Sequence, residues 1–500
     1  MRVAVVVDGP RVARWKYDCV ALLQGSCEVR VYDLGRGDRN CRQALARRLF
    51  GGVSLRPVPV ASNGSTIDPC DVILDMRSSP ASRPPIGQDA RYWCFCDSAG
   101  VFGELPGASE IAAGSPTFTL ELREVANDGS AAVLRWGKFK ALYAYARSLD
   151  VALEECKRWP SIALTTAAAG KRFESGAAAL RTAAPSLAML ALELARAFLA
   201  HAFAHLFLDA RWSVGLIRGR PESFLTQDYR PRIEWLRRSR TDFLADPFLL
   251  DSPDGRFILG ERLDSTTRTG FISCLEVDQS GNVLSERAVM RSRSHLSYPY
   301  VFAHEGAWYM VPESAQEKRV TLYRALEAPY DWKAVATLIE GVDACDNTLV
   351  QHDGRWWLFC THKSRDASLN LFLYHARELT GPWQPHPANP VKTDVGSSRP
   401  AGTPFVAGGQ LYRPAQDCTR SYGDGITFNR ITSLTERSFS EETVTSFHRD
   451  AGNAACHGAH TLSYCDDLMA IDSKTTIVAS PKVIRARLAG LVVRAASLAS

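Results

Sequence analysis

The sequence lacks the patterns that most directly indicate a cofactor or a nucleic-acid partner. It contains no GxGxxG and no GxxxxGK[ST], so neither nucleotide-binding loop is predicted. It has no Lys/Arg-rich run with interleaved aromatic residues, and its net charge is only +5 over 500 residues, so nucleic acid is not a predicted partner. Its 13 cysteines include no CxxC pair and no His/Cys ligand spacing, so we predict neither a metal site nor a cofactor.

The N-terminus also lacks the apolar segment of a signal peptide, because residues 1–8 have the pattern of a strand. With an odd, scattered cysteine count, this predicts reduced, mostly buried thiols and a cytoplasmic protein. A hydrophobic content of 46% and a charged content of 23% are typical of a soluble globular protein. The length favours two or three domains.

Residues 1–160 alternate between apolar runs and helical spacing. Strands are predicted at Val3–Val7, Glu28–Tyr32 and Asp71–Leu74, with a helix over Trp15–Leu23. Strands that alternate with helices are typical of a parallel, doubly wound sheet. We therefore predict an α/β N-terminal domain.

Three segments of this domain resemble the formyltransferase fold, as found in methionyl-tRNA formyltransferase: Tyr92–Asp97, Ser115–Leu122 and Ala131–Phe139. That family carries an Asn-x-His pair after an equivalent strand. Here the pair reads Cys94-Phe-Cys96, so the catalytic imidazole is missing. The resemblance implies a formyltransferase-like scaffold without formyl transfer, and an unrelated Rossmann-like domain is the alternative.

Residues 161–240 are predicted to form a helical linker that contains a helix over Ser186–Leu208. A membrane-spanning helix needs about 20 predominantly apolar residues, and Glu193 and Arg196 interrupt this one. We therefore predict an interdomain or membrane-surface helix. His201 and His205 have the i, i+4 spacing of a metal pair, but without a third ligand they are interpreted as packing or surface side chains.

Residues 241–475 contain a repeated motif, with copies about 50 residues apart. Each copy has an opening residue, a short apolar run, a turn with Gly and an aromatic-rich strand. The copies begin at Asp246, Tyr298, Asp346, Gly402 and Gly458. Five copies predict an all-β, five-bladed β-propeller. Because the innermost strands of a propeller line its central channel, polar residues at equivalent positions are expected to converge there.

The repeats carry two family resemblances. The segments Ala245–Phe248 and Leu379–Val391, with Asp346, resemble the five-bladed propeller glycosidases of families 43 and 32. Over residues 240–475 the chain is more similar to the N-terminal domain of glucosamine inositolphosphorylceramide transferases and their bacterial relatives. The segments that carry this similarity are His295–Phe302, Trp308–Ser314, Leu411–Asp417 and His457–Ser463. In the plant members a separate glycosyltransferase domain follows the propeller, and we predict none here.

The glycosidase resemblance implies roles for three carboxylates. Asp246 matches the catalytic Asp of the first blade, and Asp346 matches the Asp that orients it and tunes its pKa. Glycosidic cleavage also needs a protonated carboxyl group, but the fourth copy offers Gln416-Asp417 where a Glu is expected. Either Glu313 or Asp417 replaces this acid, or the protein is not a hydrolase.

Other polar residues of the repeats indicate an anionic ligand, because guanidinium groups bind phosphate and carboxylate in bidentate fashion. The predicted substrate-binding residues are Tyr298, Arg399, Arg413, Asp417, His457 and His460. A sugar nucleotide, a phospholipid headgroup or an acidic sugar would suit them.

Residues 476–500 form a basic amphipathic tail with Lys482, Arg485 and Arg487 and no acidic residue. This pattern is typical of a peripheral helix on an anionic membrane surface, and a solvated tail is the alternative. The sequence thus predicts a carbohydrate-active enzyme that transfers a glycosyl group in polysaccharide or glycolipid biosynthesis, with a sugar or glycolipid substrate that is anionic or nucleotide-activated. A propeller-type glycosidase and a non-catalytic glycan- or phosphate-binding protein are the alternatives.

Overall fold

The computed structural model forms two compact units, Met1–Ala202 and Phe203–Ser500. It describes residues 1–34, 52–64, 66–77, 90–98, 100–101, 105–167, 175–177, 186–236, 243–252, 255–264, 267–278, 281–448 and 458–489. His457 and the last eleven residues of the predicted basic tail therefore lie outside the described residues.

The first unit has one large mixed sheet with helices. Its elements in chain order are β1 (Arg2–Val7), β2 (Arg11–Ala13), α1 (Arg14–Gln24), β3 (Glu28–Asp33), a 3-10 turn (Val53–Leu55), β4 (Pro57–Pro59), β5 (Val72–Asp75), β6 (Arg91–Asp97), β7 (Gly100–Val101), α2 (Ala108–Ala112), β8 (Thr117–Val125), β9 (Ser130–Lys140), α3 (Tyr145–Cys156), α4 (Trp159–Ala167), β10 (Ser175–Ala177) and α5 (Leu187–Phe207).

The sheet has the order β10-β9-β8-β6-β5-β1-β3, with β7 paired to β6, and β2 pairs separately with β4. The pairs β3/β1, β1/β5 and β5/β6 are parallel, whereas β8, β9 and β10 add in antiparallel fashion. The apolar run of β1 is almost wholly buried, as expected for a strand covered on both faces. The predicted α/β character is confirmed, although β10 lies within the segment interpreted as a linker.

Helix α5 is less polar than expected. Among the described residues it is the one helix long and apolar enough to cross a membrane, with a mean hydropathy of 1.5 over a window of which 6% is buried. Only Glu193 and Arg196 carry charge along it, and they lie 3.8 Å apart as a pair, so the predicted interruption is weak. The ring of His201 stacks on Tyr143 at 4.5 Å, which agrees with a packing role.

The second unit consists almost entirely of strands. They are β11 (Leu208–Arg218), β12 (Glu234–Trp235), β13 (Ala245–Ser252), β14 (Gly255–Leu263), β15 (Gly270–Val277), β16 (Val283–Met290), β17 (Ser297–His304), β18 (Ala307–Glu313), β19 (Arg319–Glu327), β20 (Asp331–Glu340), β21 (Ala344–His352), β22 (Arg355–His362), β23 (Asn370–Ala376), β24 (Gln384–Pro385), β25 (Lys392–Thr393), β26 (Phe405–Ala407), β27 (Gln410–Asp417), β28 (Gly425–Thr435), β29 (Ser438–Phe447), β30 (Leu462–Cys465) and β31 (Leu468–Val478).

Short helical segments complete this unit. Three 3-10 turns lie at Pro221–Leu225, Ala315–Glu317 and Lys363–Arg365. Residues 481–489 form a last helix, α6.

The strands form five separate sheets, which confirms the predicted five blades. Blade one is β13–β16, blade two β17–β20, blade three β21–β25 and blade four β26–β29. Blade five combines β30 and β31 with β11 and β12, which precede the repeats in the chain.

The closing strand β11 lies in the segment 161–240, which we interpreted as a helical linker. It pairs with β31 in an antiparallel ladder that runs from Leu208 opposite Val478 to Arg218 opposite Leu468. Three apolar side chains of β11, those of Val214, Leu216 and Ile217, are buried in the cores of the unit. The second unit therefore begins well before residue 241.

Candidate functional site in the propeller centre

The five opening residues of the repeat share an unusual backbone conformation. Their φ angles are positive: 52° at Asp246, 42° at Tyr298, 51° at Asp346, 109° at Gly402 and 92° at Gly458. In blades one to three the ladder register also shifts at this residue. A bulge of this kind redirects a side chain, and positive φ outside Gly is uncommon enough to indicate a functional or structural demand.

Tyr298 joins blades across the centre. Its hydroxyl lies 2.8 Å from the Thr348 Oγ1 of blade three and accepts the Gly402 N–H of blade four at 2.6 Å. Because blades two and four are not neighbours, these bonds must lie near the axis. Tyr298 was predicted to bind substrate, but the structure buries it completely and uses its hydroxyl to connect the blades.

Asp246 is buried beside blade five. Its Oδ1 accepts the Thr461 hydroxyl at 2.8 Å, and its Oδ2 accepts the Tyr298 N–H at 3.1 Å. Its own N–H donates to the Asp472 Oδ2 at 3.0 Å. Burial raises the pKa of Asp246, and the neighbouring His460 opposes this rise.

His460 lies between two carboxylates. Its Nδ1 is 2.5 Å from the Asp472 Oδ2, and its Nε2 is 3.5 Å from the Asp246 Oδ1. Burial alone would lower the pKa of His460, but Asp472 and Asp246 raise it above its usual value. Ligand atoms of these three side chains lie within 4.8 Å of one another, so they could hold a metal ion; a protonated His460 provides the positive charge equally well.

Asp346 is held by three donor contacts. Arg399 donates from Nε to Oδ2 at 2.5 Å and from Nη2 to Oδ1 at 3.2 Å, and the Gln416 Nε2 donates to Oδ2 at 2.8 Å. The Asp346 N–H donates to the Glu313 Oε2 at 3.1 Å. Burial, together with the Glu313 carboxylate, raises the pKa of Asp346 to about 7 despite the attraction of Arg399.

The fourth blade brings an amide to this network where the glycosidase resemblance implies an acid. Neighbouring side chains on a strand point to opposite faces, so Gln416 reaches Asp346 and Asp417 points away. The Asp417 Oδ1 accepts the Thr419 N–H at 2.9 Å, and its Oδ2 is 3.5 Å from the His448 Nε2. The structure therefore does not group Asp417 with the central carboxylates.

Arg413 lies in the protein interior beside a carboxylate. Its side chain is fully buried, and it donates to the Glu441 carboxylate from Nε at 2.9 Å and from Nη2 at 2.5 Å. It also donates to the carbonyl groups of Ser397 and Ser398 at 2.6 and 3.2 Å. An internal carboxylate thus satisfies the guanidinium, and the substrate-binding role of Arg413 stays a prediction.

Glu261 belongs to the network, and our sequence interpretation missed it. It stands opposite Ala245 in blade one as Glu313 stands opposite Ser297 in blade two, with the same spacing from the opening residue. A register comparison of the first two copies would have found it. The His295 Nε2 lies 3.2 Å from Glu261, and this hydrogen bond raises the pKa of His295.

Tyr422 is the exposed edge of the network. Its side chain is 42% exposed, and its ring lies 5.0 Å from the Arg399 guanidinium and 5.3 Å from the His460 ring. Lys474 fixes this loop, donating to the Tyr422 carbonyl at 2.5 Å and to the Ser421 hydroxyl at 2.8 Å. A ligand that approaches the central charges would therefore meet Tyr422.

A separate cavity of about 450 Å³ lies elsewhere in the second unit. It is lined mainly by the segment 224–235 and by the end of β29, including Phe224, Tyr229, Trp235, Phe447 and His448. None of the central carboxylates lines it. The cavity is thus a distinct feature.

The second unit is therefore a five-bladed propeller whose centre holds buried carboxylates paired with Arg and His. Within it, residues 237–473 match the family model "Glucosamine inositolphosphorylceramide transferase 1, N-terminal". This agrees with the resemblance carried by the repeats.

Curated relatives carry the same name. Glucosamine inositolphosphorylceramide transferase 1 of rice (Oryza sativa subsp. japonica) is 34% identical over 210 residues, which cover 41% of this chain and 28% of that protein. The Arabidopsis thaliana protein is 32% identical over 211 residues, which cover 41% of this chain and 27% of that protein. The chain thus matches little more than a quarter of the length of these relatives.

Solved structures show weaker likeness. A thermostable family-43 glycoside hydrolase matches with a TM-score of 0.35 and 10% identity, covering 43% of this chain and 81% of that chain. A family 117 glycoside hydrolase of Zobellia galactanivorans matches with a TM-score of 0.35 and 13% identity, covering 54% of this chain and 91% of that chain. At these values neither likeness contributes to the functional assignment.

Proposed function

We propose that this protein is carbohydrate-active and takes part in glycosyl transfer, with its sugar-bearing partner bound at the propeller centre. The match of residues 237–473 to a transferase family supports the class of reaction. The partner proposed from the relatives' name is a glycolipid that contains inositol phosphate, or the sugar donor for it. Such partners are anionic, which suits the side of the network where Arg399 meets Tyr422.

The observation that carries the proposal is the pair of preoriented carboxylates from blades one and three. Asp246 and Asp346 occupy the same position of the repeat, and each is fixed by donors from other blades. Groups held in this way need little reorganisation when a polar ligand binds. Tyr422 supplies an aromatic face at the edge, and aromatic rings of this kind stack on sugars.

Transfer is favoured over hydrolysis by the residue that meets Asp346. A glycosidase needs a protonated carboxyl group beside the leaving oxygen, whereas the amide of Gln416 cannot transfer a proton. Asp417, the other candidate in that blade, faces His448 instead. Glu313 remains near Asp346, but its Oε2 already accepts the Asp346 N–H.

A non-catalytic binding role is the second candidate. It is favoured because both oxygens of Asp246 and both oxygens of Asp346 accept hydrogen bonds from within the protein. Carboxylates that are satisfied in this way can shape a binding surface without reacting.

The test compares wild type with Asp246→Asn and Asp346→Asn. Each protein is incubated with nucleotide-activated sugars and inositol phospholipids, or with an oligosaccharide in water alone, and products are measured by mass spectrometry. We expect transfer product from wild type and a loss on the order of a hundredfold or more in both variants. Asp353→Asn is the matched control, because Asp353 has a similar φ of 49° but lies exposed in a hairpin turn.

The outcomes separate the alternatives. Free sugar released in water would contradict the transferase proposal and support the glycosidase. Ligand binding without turnover, weakened in the Asp346 variant but not in the Asp353 variant, would support the binding protein.

Two further expectations remain proposals. The formyltransferase-like scaffold of residues 1–160 is proposed to lack formyl transfer activity, because Cys94 and Cys96 stand where an Asn and a His are needed. Cytoplasmic localisation is likewise proposed, because the cysteines that the structure describes are free thiols.

A further inference from the structure

The cavity of about 450 Å³ in the second unit is bounded by the outer parts of blades four and five. One wall is the end of β29, the outer strand of blade four, and the other is the segment 224–235, which ends at β12, the outer strand of blade five. Small-molecule sites usually have volumes of about 300–1,000 Å³. The cavity is therefore large enough to hold a ligand.

Three aromatic rings pack together along this cavity. Phe224 is buried, and the rings of Tyr229 and Phe447 contact it at 5.1 and 5.2 Å with interplanar angles of 83° and 77°. Phe224 also stacks on Phe428 of the blade-four core at 5.0 Å. Tyr229 and Phe447 are only partly buried. Because the face of an aromatic ring is negative, it attracts the C–H groups of a sugar ring, so these two rings provide a surface on which a sugar can stack.

The wall that precedes β12 is fixed against blade five. Trp235 stands opposite Gly215 in the β12/β11 ladder. A Cβ at Gly215 would lie 2.4 Å from the Ile233 Cγ2 and 3.0 Å from the Trp235 Cε3, so both side chains pack directly on the backbone of β11. The Tyr229 N–H donates to the Thr226 carbonyl at 3.2 Å. A wall held in this way needs little ordering when a ligand binds.

Polar side chains surround the aromatic rings. The hydroxyl groups of Thr226, Thr445 and Ser446 line the cavity together with Asp228 and Arg230. The carboxylate and the guanidinium have opposite charges, so these two groups offset each other. A neutral ligand with several hydroxyl groups matches this lining, because it can stack on the rings and exchange hydrogen bonds with polar groups of both kinds.

His448 connects the cavity to the loop that carries Tyr422. Its Nε2 is 3.5 Å from the Asp417 Oδ2, and its Nδ1 is 4.0 Å from the Asp424 Oδ2. The Ser421 hydroxyl donates to the Asp424 Oδ1 at 3.4 Å. The cavity and the exposed edge of the central network therefore adjoin the same loop. The two carboxylates beside His448 also make this end of the cavity unfavourable for an anion.

We propose that this cavity is a second carbohydrate-binding site, which holds one or two neutral sugar rings against Tyr229 and Phe447. Thr226, Ser446 and Asp228 exchange hydrogen bonds with the sugar hydroxyl groups. The site receives a part of the glycan that extends outward from the propeller centre. This last role rests on the proposed function, whereas the binding of sugar does not.

Saturation-transfer NMR tests this inference with the full chain. The probes are maltose, cellobiose, lactose and xylobiose, with myo-inositol 1-phosphate as the anionic comparison. We expect saturation transfer from wild type to at least one disaccharide. Affinity should fall by about tenfold in Tyr229→Ala, which removes one stacking surface. Binding should be lost in Ser446→Trp, because the new ring would fill the cavity.

The matched control is Val335→Trp, which places the same ring at an exposed position of β20, the outer strand of blade two. This variant should bind as wild type does. Circular dichroism and the midpoint of thermal unfolding establish that each variant is folded. In protein labelled with 5-fluorotryptophan, the ¹⁹F resonance of Trp235, assigned with Trp235→Phe, should shift when the disaccharide is added.

Three outcomes would overturn the inference. They are no saturation transfer to any disaccharide, binding of the inositol phosphate alone, and binding that Asp346→Asn abolishes but Ser446→Trp leaves intact. The last result would assign the sugar to the propeller centre and leave the proposed function standing. Disaccharide binding that Ser446→Trp abolishes, in a protein that forms no transfer product, would support the second site and contradict the proposed function alone.

Discussion

At the scale of single residues, Arg399 neutralises a carboxylate whose burial would otherwise be costly. At a pH well above the raised pKa of Asp346, replacement of Arg399 by Met leaves the Asp346 charge in the protein interior with only Gln416 as a side-chain donor. We expect the free energy of unfolding to fall by about 3–5 kcal/mol, as for other buried pairs that lose one partner. Urea denaturation of the variant at such an alkaline pH measures this loss.

Two further variants define the origin of that loss. In Arg399→Met/Asp346→Asn the unpaired charge is absent, so we expect part of the lost stability to return. Arg319→Met removes an exposed partner of Glu317 and should cost about 1 kcal/mol or less. An equal loss in the Arg399 and Arg319 variants would show that burial of the ion pair is unimportant.

His460 should make stability depend on pH. Because Asp472 and Asp246 raise its pKa above 6.5 in the folded state, the folded protein holds the proton more tightly than the unfolded chain does. This stabilisation is complete below pH 6.5 and is lost as the pH rises through the raised pKa. Urea denaturation at a series of pH values should therefore show a decline above pH 6.5 that is smaller in His460→Gln.

The partly exposed His304 provides the comparison for this experiment, because it lies in a hairpin away from the network. His304→Gln should keep the wild-type pH dependence. If His460→Gln declines as steeply as wild type, protonation of His460 does not stabilise the fold.

The sequence predicts these central residues unevenly. The repeat register correctly indicated that Asp246 and Asp346 occupy equivalent places in blades one and three. The ion pair of Arg413 with Glu441 could not be predicted, because Glu441 lies on an outer strand and no local pattern reveals that contact. For Gln416 the sequence showed only that the expected acid is missing from the fourth copy. Its contact with Asp346 could not be predicted, because that contact depends on which face of β27 turns inward.

At the scale of elements, the opening residue of each repeat copy has a positive φ, a backbone conformation that side chains restrict. Gly402 has a φ of 109°, and a Cβ there would lie 1.8 Å from the Leu462 carbonyl oxygen. Gly402→Ala must therefore move blade four or blade five and disturb the bond to Tyr298. We expect a loss of about 3 kcal/mol or more in the free energy of unfolding, measured by urea denaturation.

Gly408→Ala is the matched control in the same blade. Gly408 has a φ of 54°, but a Cβ there would meet nothing within 4 Å. The cost should then be about 1 kcal/mol, from the backbone conformation alone. Similar losses in the two variants would contradict the steric argument at Gly402.

At the scale of the whole molecule, the number of blades could be predicted but the closure of the ring could not. The periodic motif gives five inner strands, and each hairpin is local in the chain. The strand that completes blade five precedes the first copy, and its pairing with β31 spans almost the entire second unit. Because β11 follows an apolar helix directly, its own alternation of Trp212, Val214 and Leu216 was read as part of a linker.

This closure predicts where the propeller can be cut. A fragment of residues 237–489 contains the segment matched by the family model but lacks β11 and β12. In this fragment β31 would have an unpaired edge, and the core would lack the side chains of Val214 and Leu216. We expect this fragment to aggregate or to unfold without a cooperative transition, whereas residues 203–489 should unfold cooperatively. Circular dichroism, urea denaturation and limited proteolysis of both fragments measure the difference.

Addition of a synthetic peptide of residues 203–236 should restore protease resistance to the shorter fragment. Cooperative unfolding of that fragment without the peptide would show that β11 is dispensable for the ring.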